Sequence, residues 1–431
     1  MRALVINPWI YDFAAYDLWS KPLGLFKLIH TLKRLNFEID YIDCLDRFHP
    51  LLKKYSKPHE KEYGEGKYLT EIVEKPSIFK SIPRRFKRYG MPMAVFDELL
   101  TGLDDPDIIF INSGMTYWYP GPFEAIRRVK MRSSAPIVLG GVYALLCPDH
   151  AREKSGADVI FTSRDETTIV LTINKILKTK FEPFSVNGLE YYRDGYRLYP
   201  DLRYITLRTS KGCPYRCPYC GWYRIDSQFL REKPEEIINL IVDFTGRGVK
   251  NFAFYDDALL FEPDKHFMRI FEPISRMNLE ISLQTPNGLH FEFVNKAVAK
   301  VMKRSGFVRP RLGFEDLKTK GRKISLFLKS VNNLLDAGYQ PSHVYANILV
   351  GLPGQSVEDV FQTIDFVADL KIRIHLEEFG PVPGTVDFDR SGLDKESDPL
   401  LHNNTAYLLT HPVFRDRIDE IKRYVKRINR A

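Results

Sequence analysis

Lys211-Gly212-Cys213-Pro214-Tyr215-Arg216-Cys217-Pro218-Tyr219-Cys220 packs three of the chain's five cysteines into eight residues, in the pattern CxxxCxxC. Thiolates are soft ligands that suit zinc and iron–sulfur clusters. A structural zinc takes four ligands, usually from CxxC pairs, yet no second pair or nearby CxxxH partner follows, and the next histidine is the distant His266. Electron-transfer ferredoxin motifs carry a fourth cysteine and usually a second cluster motif. Three thiolates in one loop therefore point to a four-iron cluster with one iron left open to another molecule. Cys44 and Cys147 stand alone and read as small buried hydrophobes. An odd cysteine count in this distribution is not a disulfide framework, and it places the chain in a reducing compartment, the cytoplasm.

Working downstream, the loop begins where the first of six strand-like segments ends. These are Tyr204–Arg208, Asn251–Tyr255, Glu280–Leu283, Arg311–Phe314, His343–Val350 and Arg373–Phe379, with helical periodicity near 234–245, 264–277, 292–304, 322–337 and 356–370. Ser356, with Asp359 three residues on, marks a helix start. Six strand–helix units over residues 204–390 suit a partial (β/α)6 barrel of the TIM type, whose chemistry sits at the carboxyl ends of the strands. The last stretch, 391–431, reads as a helical C-terminal tail with two helices over 400–431, the final one basic and amphipathic through Phe414, Ile418, Ile421, Val425 and Ile428.

Upstream, Ala3–Ile6, Glu38–Ile42, Asp107–Ile111, Ile137–Leu139 and Val159–Thr162 read as strands separated by helical patterns near Leu25–Leu35 and Phe123–Met131. That alternation predicts a doubly wound, Rossmann-like parallel sheet over residues 1–180, with ligands beyond its carboxyl edge. Asn187-Gly188 and Asp194-Gly195 flank Tyr191-Tyr192, and the turn signals predict a linker hairpin over 181–203. The fold class is α/β throughout.

Composition narrows the function classes. With 44% hydrophobic residues and no apolar run long enough to span a bilayer, the chain reads as globular, with no membrane partner. The net charge of +8 resolves into two segments, 53–89 with 11 basic against 5 acidic side chains and 412–431 with 7 against 3. The remainder is slightly acidic, so no basic face runs across the molecule and nucleic acid is not an expected partner. Both segments read as solvated faces.

With Tyr219 before its third cysteine, the motif resembles the signature of radical S-adenosylmethionine (SAM) enzymes. The resemblance spans about residues 200–390. It implies that Cys213, Cys217 and Cys220 bind a [4Fe-4S] cluster, that SAM chelates the fourth iron, and that reductive cleavage yields a 5′-deoxyadenosyl radical that abstracts hydrogen from a substrate. Tyr219 would lie against the adenine. Phe254-Tyr255-Asp256-Asp257 stands where that family often has Gly-Gly-Glu binding the SAM ammonium, so Asp256 or Asp257 would accept from it. Glu315 would accept from ribose hydroxyls and Arg311 would pair with a carboxylate, while Gly351 would let the backbone approach the adenine. An electron donor such as flavodoxin or ferredoxin is implied. An iron–sulfur carrier or sensor without SAM cleavage is the non-enzymatic alternative.

A doubly wound domain ahead of such a barrel resembles the subfamily with an N-terminal cobalamin-binding domain. Gly140 and Gly141 would admit a corrin or its nucleotide tail close to the backbone. The DxHxxG motif of many cobalamin proteins is absent, and the first histidine is His30, in a predicted helix. Either cobalamin binds without that ligand, as the resemblance implies for some members of the subfamily, with methyl transfer to an unactivated carbon as the product step, or the domain keeps only the fold.

Overall fold

The computed structural model describes residues 1–163, 165–226 and 228–430, and the chain divides into two units. Unit 1 is Met1–Leu202 with Asp394–Asn403; unit 2 is Arg203–Leu393 with the residues from Asn404 onward. Among the described residues no helix is long and apolar enough to cross a membrane.

Unit 1 is built on five parallel strands: β1 (Arg2–Asn7), β2 (Glu38–Asp43), β3 (Ile108–Ser113), β4 (Ile137–Gly141) and β5 (Val159–Ile160). They lie in the order β2-β1-β3-β4-β5. This is the flavodoxin-like order, in which the winding direction reverses between β1 and β3. Helix α1 (Leu23–Arg34) crosses from β1 to β2, burying Leu25, Phe26, Ile29 and Leu32 at the predicted spacing and ending on Lys33 and Arg34, where cations favour the helix dipole. Helices α2 (Met93–Thr101), α3 (Pro120–Lys130), α4 (Val142–Leu146), α5 (Pro148–Lys154) and α6 (Glu166–Leu177) follow in chain order. The first basic segment falls in the long excursion between β2 and α2. There Thr70–Ile72 and Lys87–Tyr89 pair with each other, and the latter also with Ile10–Asp12. Its arginine Arg88 pairs with Glu71, as a folded surface rather than an open cationic face would have it.

Two expectations change here. Residues 190–196 form a helix, α7 (Glu190–Tyr196), instead of an arm of a hairpin. The glycine that suggested a turn, Gly195, is a contact point between helices: a Cβ there would collide with the ring of Phe26 on α1. Asp194 beside it accepts from His30 Nδ1 at 2.7 Å and Lys33 Nζ at 2.6 Å, so the Asp-Gly pair fastens two helices together. The tail over 391–431 keeps its two helices but is not one segment of the fold, because Asp394–Asn403 belongs to unit 1. Within unit 1, Asp398 accepts from the Tyr119 hydroxyl at 3.0 Å, His402 Nδ1 meets Thr116 Oγ1 at 3.0 Å, and Asn403 Nδ2 donates to Asp12 Oδ1 at 2.8 Å. These polar side chains tie 394–403 to the segment after β1 and to the loop after β3; Pro399–His402 is a short 3-10 helix, and α-helix resumes at Asn404.

Unit 2 carries six parallel strands: β6 (Ile205–Leu207), β7 (Asn251–Phe254), β8 (Ser282–Gln284), β9 (Arg311–Glu315), β10 (Tyr345–Val350) and β11 (Arg373–Glu378). β6-β7-β8 and β9-β10-β11 form two arcs, joined by bridges at Leu283–Phe307 and Leu289–Leu312. Helices α8 (Pro234–Gly246), α9 (Phe267–Arg276), α10 (Lys296–Ser305), α11 (Ile324–Asp336) and α12 (Val357–Ala368) clothe the outside. Phe254 meets Phe271 of α9 at 5.1 Å, and Phe314 meets Phe327 of α11 at 4.3 Å, so alternate strand residues face the helices. Helix α12 opens on the expected capping box, with Ser356 and Asp359 each accepting from the other's backbone N–H. Helix α13 (Asn404–Thr410) and helix α14 (Ile418–Ile428) close the chain, the latter burying Ile418, Ile421 and Val425 while Lys422 pairs with Glu378 of β11. The second basic segment is thus the solvated face of a packed helix.

Candidate active site

The cysteine loop leaves the carboxyl end of β6 and is closed at its base by a two-rung antiparallel ladder, Ser210–Lys211 with Leu230–Arg231. Gly212 begins the loop at φ +75°, where a Cβ would strike the Gln228 carbonyl, so only glycine serves. The far side of the loop is clasped to the segment after β11: Asp387 N donates to the Pro218 carbonyl at 3.0 Å and Arg224 Nε to the Gly384 carbonyl at 2.7 Å. The loop is therefore held across the mouth of the half-barrel from both arcs.

The two carboxylates that end β7 divide the work. Asp256 is buried, and its Oδ1 accepts from Thr209 N at 3.0 Å, Thr209 Oγ1 at 2.8 Å and Ser210 Oγ at 2.6 Å. Burial pushes its carboxyl pKa up against these donors. His266 completes the brace by donating Nε2–H to the Thr209 carbonyl at 2.9 Å; burial lowers its pKa to about 4, so it is neutral. Asp256 thus fixes the root of the cysteine loop. Asp257 faces the cysteines. Its carbonyl lies 3.9 Å from Cys213 Sγ, its carboxylate adds to the upward shift of the Cys213 and Cys220 thiols, and Asn287 Nδ2 reaches its Oδ1 at 3.4 Å.

Burial, helped by Asp257 and the neighbouring thiols, raises Cys213 to about 11 and Cys220 to about 12. All three thiols are partly buried. A cationic cluster reverses that penalty, because coordination favours the thiolate. Among the described residues no three His, Cys, Asp or Glu side chains converge on one point that would hold a single metal ion. Cysteines that each take a different iron of one cluster need to be spread around it, so the donor set fits a cluster better than a lone ion.

Opposite the loop, β9 ends in a bulge: its register with β10 shifts between Gly313 and Glu315, and Glu315 is left at φ +63°. A left-handed backbone at a residue with a long side chain costs on the order of 1–3 kcal/mol and recurs at functional sites. The strained carboxylate bonds the Tyr219 hydroxyl, which also meets Cys217, and burial with these partners pushes the Tyr219 pKa far up. Tyr219 and Glu315 therefore meet beside Cys217. Arg311 does not join them, because it opens β9 and lies four residues below Glu315 on the same face, about 13 Å along the strand.

Gly351 follows β10 at φ +95° in a turn held by Gln355, whose Oε1 accepts from Gly351 N at 2.8 Å. The space a Cβ would take belongs to Leu408 of α13, so packing alone already demands this glycine. In unit 1, Gly141 has φ +106° and a Cβ would strike the Ser113 carbonyl, whereas Gly140 has only ordinary contact with Phe161. The neighbour that approaches Gly141 is the adjacent strand's own backbone. Cys44 is fully buried, and burial lifts the Cys147 thiol to about 12, as packing residues would be.

Sequence reasoning passed over a group of buried polar atoms. Among the described residues Gln284 Nε2, Thr285 Oγ1 and Asn347 Oδ1 have no hydrogen-bond partner, although their residues are only 2, 4 and 8% exposed. The signal was available: polar residues at inward strand positions, where barrels normally carry branched aliphatics.

Comparison with known proteins places this geometry. The Radical SAM superfamily matches residues 207–367. An uncharacterized methyltransferase of Pyrococcus horikoshii is 23% identical over 320 residues, covering 65% of this chain and 68% of that protein. Among solved structures, the radical S-adenosylmethionine methyltransferase TsrM from Kitasatospora setae, with cobalamin and [4Fe-4S] cluster bound, superposes with a TM-score of 0.59 at 14% identity, covering 90% of this chain and 77% of that one. The cobalamin-dependent S-adenosylmethionine radical enzyme OxsB, with aqua-cobalamin and S-adenosylmethionine bound, gives 0.56 at 12% identity, covering 99% of this chain and 56% of that one. At these identities the structural likeness speaks for the fold of the chain.

Proposed function

Because residues 207–367 match the Radical SAM superfamily, we propose that the chain is an enzyme of that kind, which cleaves SAM reductively at a cluster held by Cys213, Cys217 and Cys220. The observation that carries the reading is the clasped loop itself, rooted on Asp256 and facing a strained Glu315 through Tyr219. A [4Fe-4S] cluster held by these three cysteines would supply, once reduced, the one electron that breaks the sulfonium C–S bond to give methionine and a 5′-deoxyadenosyl radical. The chain's own part is positioning. Asp257, not Asp256, is the acceptor for the methionyl ammonium, since the oxygens of Asp256 already serve Thr209 and Ser210. Glu315 takes the ribose hydroxyls, and Tyr219 lies along the adenine.

Methyl transfer to carbon with cobalamin is the form of the reaction that the methyltransferase relatives favour. Unit 1 supports it through its flavodoxin-like strand order. Residues 8–22, between β1 and α1, contain no histidine, so a corrin on that edge would take no imidazole from this loop. The exposed Met115 and the Tyr117-Trp118 pair after β3 are the groups of unit 1 that would face it. A cytoplasmic electron donor of the flavodoxin or ferredoxin type fits the need for a reductant. An electron carrier would have no use for the unpartnered polar wall inside the barrel, and this sets the enzyme reading above that alternative.

The test is anaerobic reconstitution with iron and sulfide, then reduction with SAM present. The reading predicts 5′-deoxyadenosine; an intact cluster with unconsumed SAM would overturn it. Uptake of cobalamin, read from the visible spectrum, tests the methyl-transfer form separately.

A further inference from the structure

The inner wall of the second arc is read from strand register. Leu312 and Phe314 of β9, Ala346, Ile348 and Val350 of β10 and Ile374 of β11 are buried, with Phe314 against the helices, so the alternate residues face the barrel interior. Register pairs Arg311 with Tyr345 and Tyr345 with Arg373 in one row, and Gly313 with Asn347 and Asn347 with His375 in the next. Gln284 joins from the neighbouring arc, in register with Ala253. At about 4.8 Å between strands, the Cα atoms of Arg311 and Arg373 are about 10 Å apart. Two long cationic side chains thus flank one tyrosine hydroxyl on a single face.

Neither guanidinium has a hydrogen bond or an ion pair among the described residues, and the ring of Tyr345, 5.8 Å from the Arg311 guanidinium, is no counter-ion. Glu377 lends Arg311 a favourable field, but its carboxylate lies 2.9 Å from His375 Nδ1 and makes no ion pair with the arginine. A partly buried guanidinium without a counter-ion, beside a second one, is an expensive arrangement, and buried charges are ordinarily paired. Independently, Gln284 Nε2 and Asn347 Oδ1 on the same wall are buried without a partner. Unsatisfied cations and unsatisfied amides on one concave face describe a site shaped for a ligand that supplies the missing acceptors and donors.

We propose that this wall binds an oxyanion of the substrate, a carboxylate or phosphate of a small molecule, between Arg311 and Arg373, with Tyr345, Gln284 and Asn347 holding the adjoining polar groups. The inference rests on the radical SAM reading for its catalytic meaning, since it places the substrate's anionic end about 13 Å below Glu315 and leaves the other end toward the cysteine loop. The anion site itself stands on geometry alone. Arg311 therefore belongs to the substrate and not to the methionyl carboxylate.

The test uses the full, reconstituted chain without SAM. Its unfolding midpoint is followed against inorganic phosphate and against acetate, with chloride at matched ionic strength as the reference. A ligand that binds the folded state alone raises the midpoint in a saturable way. The site predicts such a rise for phosphate, for acetate or for both, and the anion that works distinguishes a phosphate-bearing from a carboxylate-bearing substrate. Arg311→Met is expected to weaken that response about tenfold or more, and in chloride it should unfold at a higher temperature than the native chain, because an unpaired cation is replaced by an apolar chain. Arg304→Gln, an exposed arginine on α10, should keep the response. Absence of any anion-specific rise, an undiminished response in Arg311→Met, or a lowered midpoint for that variant in chloride would each overturn the inference. 5′-Deoxyadenosine formation is measured on the same preparation, so an anion response without SAM cleavage would sink the radical reading and leave the anion site standing.

Discussion

Both units array polar side chains along parallel strands, yet they treat them in opposite ways. On the carboxyl edge of the unit 1 sheet, Asn7 Nδ2 donates to Asp43 Oδ1 at 2.7 Å, Asn112 Nδ2 donates to Asn7 Oδ1 at 3.0 Å, and the Tyr199 hydroxyl donates to Asp43 Oδ2 at 2.5 Å. Each group there answers another. On the inner wall of unit 2, Gln284 Nε2 and Asn347 Oδ1 have no hydrogen-bond partner among the described residues, and the guanidinium groups of Arg311 and Arg373 have no counter-ion among them. A self-satisfied polar row stabilises a fold, whereas an unsatisfied one lowers stability unless a ligand completes it. The contrast separates architecture from function without reference to any relative.

The comparison can be broken in four places. The largest effect concerns the cysteines: Cys217→Ala should remove the brown cluster absorption and all SAM cleavage, while unit 1 keeps its far-ultraviolet signature. Survival of absorption and cleavage would show that the ligands are misassigned. Next come two buried histidines, one in each unit, His266 and His402, both lowered to about 4 chiefly by burial. Their folded pKa lies below the unfolded value, so their neutral form contributes stability that is complete above about pH 6.5 and is lost as the pH falls toward 4, on the order of 3 kcal/mol for each. Unfolding midpoints measured from pH 7 to pH 4 should fall accordingly, and His266→Gln should flatten the fall for the barrel alone.

Smaller still is Asn7→Leu, which takes one of its donors from buried Asp43 and the acceptor from half-buried Asn112 and should cost about 1–3 kcal/mol in a denaturant titration. Its counterpart, Gln284→Leu in the barrel wall, should change stability by less than about 1 kcal/mol, because it removes a donor that already lacks a partner. Turnover of the native substrate should drop in that variant. Equal destabilisation by the two substitutions would erase the distinction between the two rows.

Much of this was legible in the sequence. Six barrel strands follow from apolar runs that alternate with helical spacing, and the CxxxCxxC loop follows the first of them as expected. Local pattern misled where one residue has two uses. Gly195 and its Asp neighbour look like a turn, but the glycine is there because Phe26 leaves no room for a Cβ, a contact between segments about 170 residues apart. Gly141 and Gly351 were read as ligand cradles, and the structure shows chain atoms of Ser113 and Leu408 against them. The choice between Asp256 and Asp257 could not be read from adjacent identical residues, since it depends on which one turns back toward Thr209. The unsatisfied wall was invisible for a similar reason. Its residues come from four strands, and only register brings them together.

The most direct trial of the central claim is the product of SAM under reduction. Reconstituted protein, given dithionite and SAM without air, should release 5′-deoxyadenosine and methionine, and Cys217→Ala treated identically should release none. A native protein that holds its cluster, accepts the electron and returns SAM unchanged would contradict the account.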